Sequence, residues 1–253
     1  SVRINYVILL FINKFQKMSG HSKWSKIHRQ KGVADNKRGA LFTKLGKAIT
    51  VAAKMGGGDP DSNFKLRLAI DKARAGSMPK DNIDRAIKRG TGDLEGGKIE
   101  SITYEGFATD GIALMIETLT DNRNRTSSAI KHILSKFGGS LSGPNAVSWM
   151  FEPKGIIRIK EMNDELELEL IDAGATDIST EEGGVTIYTQ PNDLKKIKDI
   201  LEQKNIEVEY AEVEQIPKEK KDVPEAQIGK LEKLFAELDE NEDVNDFYTN
   251  SNV

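Results

Sequence analysis

Four cations fall within the twelve residues HSKWSKIHRQKG, His21 to Gly32: Lys23, Lys26, Arg29 and Lys31. They are interleaved with Trp24, His21 and His28. Lys and Arg neutralise phosphates and release counterions, so the chemistry on offer is polyanion binding, independent of sequence and sensitive to salt. Lys37, Arg38, Lys44 and Lys47 extend the set, with Arg67, Lys72, Arg74, Lys80, Arg85, Lys88 and Arg89 behind them. Trp24 has two readings. It can stack on an unpaired base, or pack with Ile27 against a small helical core. His21 and His28 have one further His in the chain, far away at His132, and no Cys, so they suit contact with RNA or phosphate better than a metal site. A second anion site is conceivable at TDNRNRTSS, where Arg123, Arg125 and the Thr126 hydroxyl stand at the start of a helical pattern. The alternative is that Asp121, Asn122 and Asn124 use these Arg residues to pin a loop.

Signals for catalysis do not hold together. Gly56-Gly57-Gly58 lacks the G-K-[ST] that completes a phosphate loop. Gly90-Thr91-Gly92 has no strand before it, as a dinucleotide site requires. Asp239, Asn241 and Asp243 imitate the start of a calcium loop, but Val244 takes the Gly position and Asn250 the bidentate Glu position. Asp164, Glu165, Glu167, Glu169 and Asp172 read as the solvated face of one helix. The chain has no Cys, which removes disulfides, thiolate metal sites and a cysteine nucleophile. The expectation is a non-enzymatic protein with no catalytic residue, cofactor, metal or small-molecule substrate.

The elements that would carry these cations follow from charge and periodicity. The 253 residues have a formal net charge of −3. Residues 18–97 hold 17 Lys or Arg and 8 Asp or Glu, a net of +9, whereas residues 98–253 hold 17 and 32, a net of −15. A basic unit on an acidic body suits a polyanion-binding face on a carrier that stays in solution. Residues 1–17 are acid-free, and their apolar run YVILLFI is far too short for a membrane span. They read as an extension before Met18 or as a targeting segment.

Within 18–97 the spacing of Leu41, Leu45, Ala48, Ala52 and Met55 predicts one helical stripe. A Gly56–Gly58 stop follows, then a helix after the cap candidates Asp61, Ser62 and Asn63, and a third from Pro79 closed by Gly90. After the linker TGDLEGG come two strands around Thr109-Asp110-Gly111, a helix capped by Thr126, and a strand AVSWMF. Residues 155–216 then read βαββαβ. Asp222 with Glu225 resembles a capping box for a last helix, followed by a strand at 244–248. The expected fold is α+β and multidomain: a small helical bundle (18–97), a discontinuous α/β domain (98–152 plus 217–253), and a ferredoxin-like split-βαβ domain (153–216) inserted in it.

GHSKWSKI, KRGALFTKL, ITVAAK, GGGDP, RLAIDKA, MPKDNIDRAIKRGTG, YEGFATDGIAL, LTDNRNRT, FGGSL and VSWMF resemble the YebC/PmpR family in order from Met18 to about Tyr248. The resemblance implies a three-domain fold with one α/β domain inserted in the other. It also implies either DNA binding as a transcriptional regulator or association with the ribosome, since the family includes a mitochondrial translational activator of cytochrome oxidase. DNA, or RNA within the ribosome, is the expected partner, with protein partners at the acidic domains and no membrane. The expected compartment is the cytoplasm, or the mitochondrial matrix if residues 1–17 belong to a transit peptide.

Overall fold

The computed structural model describes residues 35–181 and 183–252, and among them seven α-helices and two four-stranded sheets. The first three helices, α1 (Asp35–Gly56), α2 (Phe64–Ala75) and α3 (Lys80–Thr91), form a bundle with a core of Leu45, Ile49, Ala52, Ala53, Leu66, Ile70, Ala73, Met78, Ile83 and Ala86. So many small residues bring backbones close. At Gly90 a Cβ would fall 2.4 Å from the Thr50 carbonyl oxygen and 2.7 Å from Ala53 Cβ. The Thr50 hydroxyl donates to the Ala86 carbonyl across the same crossing, at 3.0 Å. Gly90 is therefore not the stop expected of it. The helix continues to Thr91, and Gly92 takes the left-handed cap at φ 89°. The α1 stripe is likewise turned at its C-terminal end. Ile49 and Ala53 join Leu45 and Ala52 in the core, and Met55 is 68% exposed, because α3 crosses on the Thr50–Ala53 side.

Of the three cap candidates for α2, Asn63 is the one used, and it serves two helices at once. Its Oδ1 accepts from the Leu66 amide at 3.1 Å, while its Nδ2 donates to the carbonyls of Ala52 and Gly57 at the end of α1. These three hydrogen bonds explain how this polar side chain is buried.

The first sheet has the order β3-β1-β2-β8, with β1 Glu100–Phe107, β2 Ala113–Thr120, β3 Ser140–Leu141 and β8 Val244–Thr249. β2 is central and apolar on both faces. Leu114 and Ile116 enter a core with α4 (Arg123–Lys136) and α7 (Glu225–Glu240). Ala113 and Met115 enter a second core with Val147, Phe151 and Tyr248. The second sheet has the order β5-β6-β4-β7, all antiparallel, from β4 (Phe151–Ile159), β5 (Ala175–Glu181), β6 (Gly184–Thr189) and β7 (Val208–Pro217). Helices α5 (Asp164–Ala173) and α6 (Leu194–Gln203) supply Leu166, Leu170, Leu194, Ile197 and Leu201 to its core. This is the split-βαβ order. The chain leaves the first sheet after β3, completes the second, and returns with α7 and β8. The α+β class, with one α/β unit set within another, stands as the sequence implies.

Three local expectations fail. AVSWMF is not a strand of the first sheet: Ser148–Met150 form a 3-10 turn and Phe151 opens β4 of the second. The amides a ladder would use are taken by the Glu105 carboxylate, which accepts from Asn145, Val147 and Ser148 at 2.9, 2.7 and 2.9 Å. Thr126 does not cap α4; Asn122 does, accepting from the Arg125 amide, and Thr126 is buried one turn in. Asp222 does not cap α7, whose N-cap is Pro224 without a side-chain bond; Asp222 accepts from Asn252 instead. Among the described residues no helix is long and apolar enough to cross a membrane.

Gly90→Ala tests the α1–α3 crossing. Helix propensity alone favours Ala by about 1 kcal/mol, yet overpacking costs typically about 1–3 kcal/mol and more where backbone must move. The expected outcome is a net loss of roughly 2 kcal/mol, read from the urea midpoint; a variant as stable as the parent would refute the crossing.

Candidate nucleic-acid interface

The cations of the helical unit divide into those that face the rest of the molecule and those that face solvent. Lys44 and Lys47 lie one turn apart on α1. Lys44 donates to the Asp239 carbonyl at the end of α7, where the helix dipole favours a cation. Burial pulls the Lys44 ammonium below its ordinary pKa, opposed by the nearby charges of Asp239 and Asp246. Lys47 donates to the Glu242 carbonyl at 3.0 Å and to Asp243 Oδ1 at 2.7 Å. Helix α2 faces the second sheet and its helices. Phe64 and Leu68 pack against that core, and Arg67 pairs with Asp199 of α6 at 2.7 Å while its guanidinium lies over the Phe64 ring. Lys72 pairs with Glu212 of β7 at 2.9 Å and lies 3.8 Å from Asp246 of β8, so one ammonium meets both sheets. In return, buried Lys198 of α6 reaches Asp71 of α2 at 3.1 Å.

Asp243 is the centre of these contacts. It is 6% exposed, in the loop between α7 and β8. Besides Lys47 it takes Arg125 by Nη2 at 3.0 and 2.9 Å and by Nε at 3.2 Å, and the Thr126 hydroxyl at 2.8 Å. Burial pushes its carboxyl up, but the hydrogen bonds from Lys47, Arg125 and Thr126 outweigh this and hold it below the usual carboxylate range. The residues expected to form a second anion site are thus arranged around a carboxylate of the chain itself. Arg125 also pairs with Asp121 at 2.9 Å. Thr126 Oγ1 also lies within hydrogen-bond distance of Thr120 Oγ1, at 2.8 Å, and of the Asn122 carbonyl oxygen, at 3.1 Å. Arg123 alone of the three is exposed without such a partner among the described residues, its carbonyl accepting from the Tyr104 hydroxyl at 3.2 Å. Of the partners named in the pinning alternative, Asp121 pairs with Arg125; Asp243, which takes most of the bonds, is not among them.

The second set faces outward. Arg38, Arg74, Lys80, Lys88 and Arg89 are exposed, as are Arg85 and two cations that the sequence pattern did not single out, Lys54 and Lys65. Among the described residues Arg74 has a long pair with Asp71, at 3.9 Å. On α3 the core residues Ile83 and Ala86 define the inner face, which leaves Arg85, Lys88 and Arg89 outside in company with Asp81 and Asp84. Lys88 and Arg89 occupy the last turn, again the end a helix dipole favours for cations. Lys23, Trp24, Lys26, His28, Arg29 and Lys31 lie outside the described residues, as does the side chain of Lys37. Among the described residues no group of three or more His, Asp or Glu side chains could hold a metal ion. The functional geometry that sequence reasoning missed is the acidic half of the interface: Asp199, Glu212, Asp243 and Asp246. No local signal marks them, since Asp243, the partner of Lys47, is 196 residues away.

The depressed Asp243 pKa gives a pH dependence with a definite sign. A carboxyl more acidic in the folded state contributes stability above its unfolded pKa, and that contribution is lost as pH falls through the folded value. Asp243→Asn should cost roughly 2 kcal/mol at pH 7, allowing for the solvent that reaches the ion pairs. It should also show a smaller fall in melting temperature between pH 7 and pH 3 than the parent. Parallel melting curves for the two proteins would contradict the assignment.

Comparison with known proteins places this geometry. Residues 22–93 match the TACO1/YebC protein N-terminal domain, and residues 99–251 match the TACO1/YebC second and third domain. A probable transcriptional regulatory protein of Halothermothrix orenii is 47% identical over 242 residues, 93% of this chain and 96% of that one. One of Chlorobaculum tepidum is 50% identical over 240 residues, with the same shares. The crystal structure of a conserved hypothetical protein from Aquifex aeolicus is 40% identical, with a TM-score of 0.78 over 87% of this chain and 93% of that one. Helical unit, paired α/β units and extended identity together show that the chain belongs to the TACO1/YebC family.

Proposed function

We propose that this chain is a non-enzymatic, nucleic-acid-binding regulator of gene expression that engages duplex DNA through the outward cations of its helical unit. The observation that carries the reading is the division of charge. Lys44, Lys47, Arg67 and Lys72 are used against the acidic body, yet Lys54, Lys65, Lys80, Arg85, Lys88 and Arg89 remain exposed on the same unit. Phosphate binding needs such cations at the surface, able to release counterions. In this reading residues 18–97 are the binding module, and 98–152 with 217–253, and 153–216, form the carrier and any protein-docking body. The name shared by the relatives, probable transcriptional regulatory protein, supports regulation. Buried ionisable groups such as Asp243 and Lys198 are paired off structurally, which supports a role without turnover.

A second reading, binding of structured RNA on the ribosome to activate translation, is favoured by the make-up of α3. Its outer face mixes Lys and Arg with Asp81 and Asp84, and Asn82 is the only amide in the helix. Base edges of duplex DNA are read chiefly by Arg, Asn and Gln in the major groove. Such a face suits backbone contact better than sequence readout.

The test uses Lys88→Glu/Arg89→Glu with duplex DNA, structured RNA and purified ribosomes over a salt series. The expected outcome is affinity reduced about tenfold or more at low salt. The dependence of log K on log salt should become shallower by about one unit for each phosphate that is no longer neutralised. Lys44 is unsuited to this purpose, because its reversal would break the hydrogen bond to α7. A variant that binds all three like the parent removes the helical unit from binding. If ribosomes stay bound at a salt concentration that releases DNA, the second reading replaces the first.

A further inference from the structure

Trp149 is 67% exposed, in the 3-10 turn that joins the two sheets. An indole is costly to leave in water, and most large apolar side chains among the described residues are buried or half-buried. Its turn is nonetheless tightly held. The indole N–H donates to the Ala146 carbonyl at 3.2 Å, and the Met150 amide to the Val147 carbonyl at 2.9 Å. The buried Glu105 carboxylate gathers the amides of Asn145, Val147 and Ser148 just before it. Burial acts to raise the Glu105 pKa, but these bonds prevail and hold it below its ordinary value. The ring is thus an ordered flat surface with its one donor already used internally, so what it offers a ligand is a π-face.

Charge selects the ligand. The Lys218 ammonium donates to the Trp149 carbonyl at 2.8 Å, and the Lys218 amide donates to the Met150 carbonyl at 2.9 Å. Lys218 opens the exposed tract KEKK, Lys218 to Lys221. A cation fixed on the backbone carbonyl of the residue that carries an exposed indole offers a phosphate partner and a stacking face from one turn, the combination by which single strands are held. We infer that Trp149, with Lys218 beside it, is a stacking site for an unpaired base of single-stranded nucleic acid. The site is distinct from the basic face of α3. The inference rests on the reading that the chain binds nucleic acid, and it adds the strand form recognised and the ring that recognises it.

The experiment measures binding of a fluorescently labelled oligouridine and of a duplex DNA to the full chain, to Trp149→Ala and to Trp149→Phe. An oligouridine carrying 5-iodouridine is photocrosslinked in parallel, and the attached peptide is identified by mass spectrometry. Trp149→Ala is expected to weaken oligouridine binding about tenfold and leave duplex binding unchanged. Trp149→Phe should restore most of the loss, and the crosslink should fall on Trp149. The inference is overturned if Trp149→Ala binds oligouridine like the parent, as it would if the indole docks a protein, or if the crosslink maps elsewhere. Duplex binding that survives such a result leaves the proposed function intact, whereas failure of the parent to bind either nucleic acid overturns both.

Discussion

A carboxylate withdrawn from water costs several kcal/mol unless donors replace the water. Asp243 meets that requirement with side chains from two other elements: Lys47 from the helical unit, and Arg125 and Thr126 from α4. Its own backbone sits between α7 and β8, the part of the chain that returns to complete the first sheet. The same few ångströms therefore fix how the discontinuous unit closes and how α1 lies on it. Lys72 repeats the logic at the seam of the two sheets, where Glu212 of β7 and Asp246 of β8 share one ammonium. Removing both carboxylates would leave a cation half out of water without a counter-charge, so these pairs set orientation more surely than they add stability.

That arrangement changes what the charge asymmetry means. A net of +9 over residues 18–97 against −15 over the remainder looks, in the sequence, like a binding surface carried by a soluble body. Part of it is instead the attraction that holds the molecule together, with cations of α1 and α2 facing acids of α6, β7, β8 and the loop before β8. Among the described residues, what is left for a ligand is the side turned away, chiefly α3 and the ends of α1 and α2. The helical core is too small and Ala-rich to stand far from its supports, and Phe64 and Leu68 borrow the core of the second sheet.

Much of the architecture was legible because it rests on local rules. The Asn63 cap, the glycine-bounded helices and the βαββαβ order of 155–216 all follow from residue types within a turn or a strand of one another. Two of the failures have one cause, a distant partner overriding a local pattern. AVSWMF has strand composition, but Glu105 takes its amides. Gly90 reads as a stop, but it is the point where Thr50 of another helix approaches. Lys44, Lys47, Arg67 and Lys72 read as phosphate ligands, and nothing near them in sequence shows the carboxylates and carbonyls of remote elements that they also meet. Trp149 stood inside AVSWMF, read as a strand and as part of a family motif; its exposure is a property of the turn that carries it.

Lysine-reactive footprinting read by mass spectrometry, on the full chain with and without duplex DNA, tests the division into inner and outer cations most directly. The account predicts that Lys44, Lys47, Lys72 and Lys198 react slowly in both conditions. Lys54, Lys65, Lys80 and Lys88 should react quickly in the free protein, and Lys80 and Lys88 should become protected when DNA is bound. Contradiction would be Lys44, Lys47 and Lys72 labelling in the free protein as fast as Lys80, or DNA protecting these inner lysines while leaving Lys80 and Lys88 unchanged.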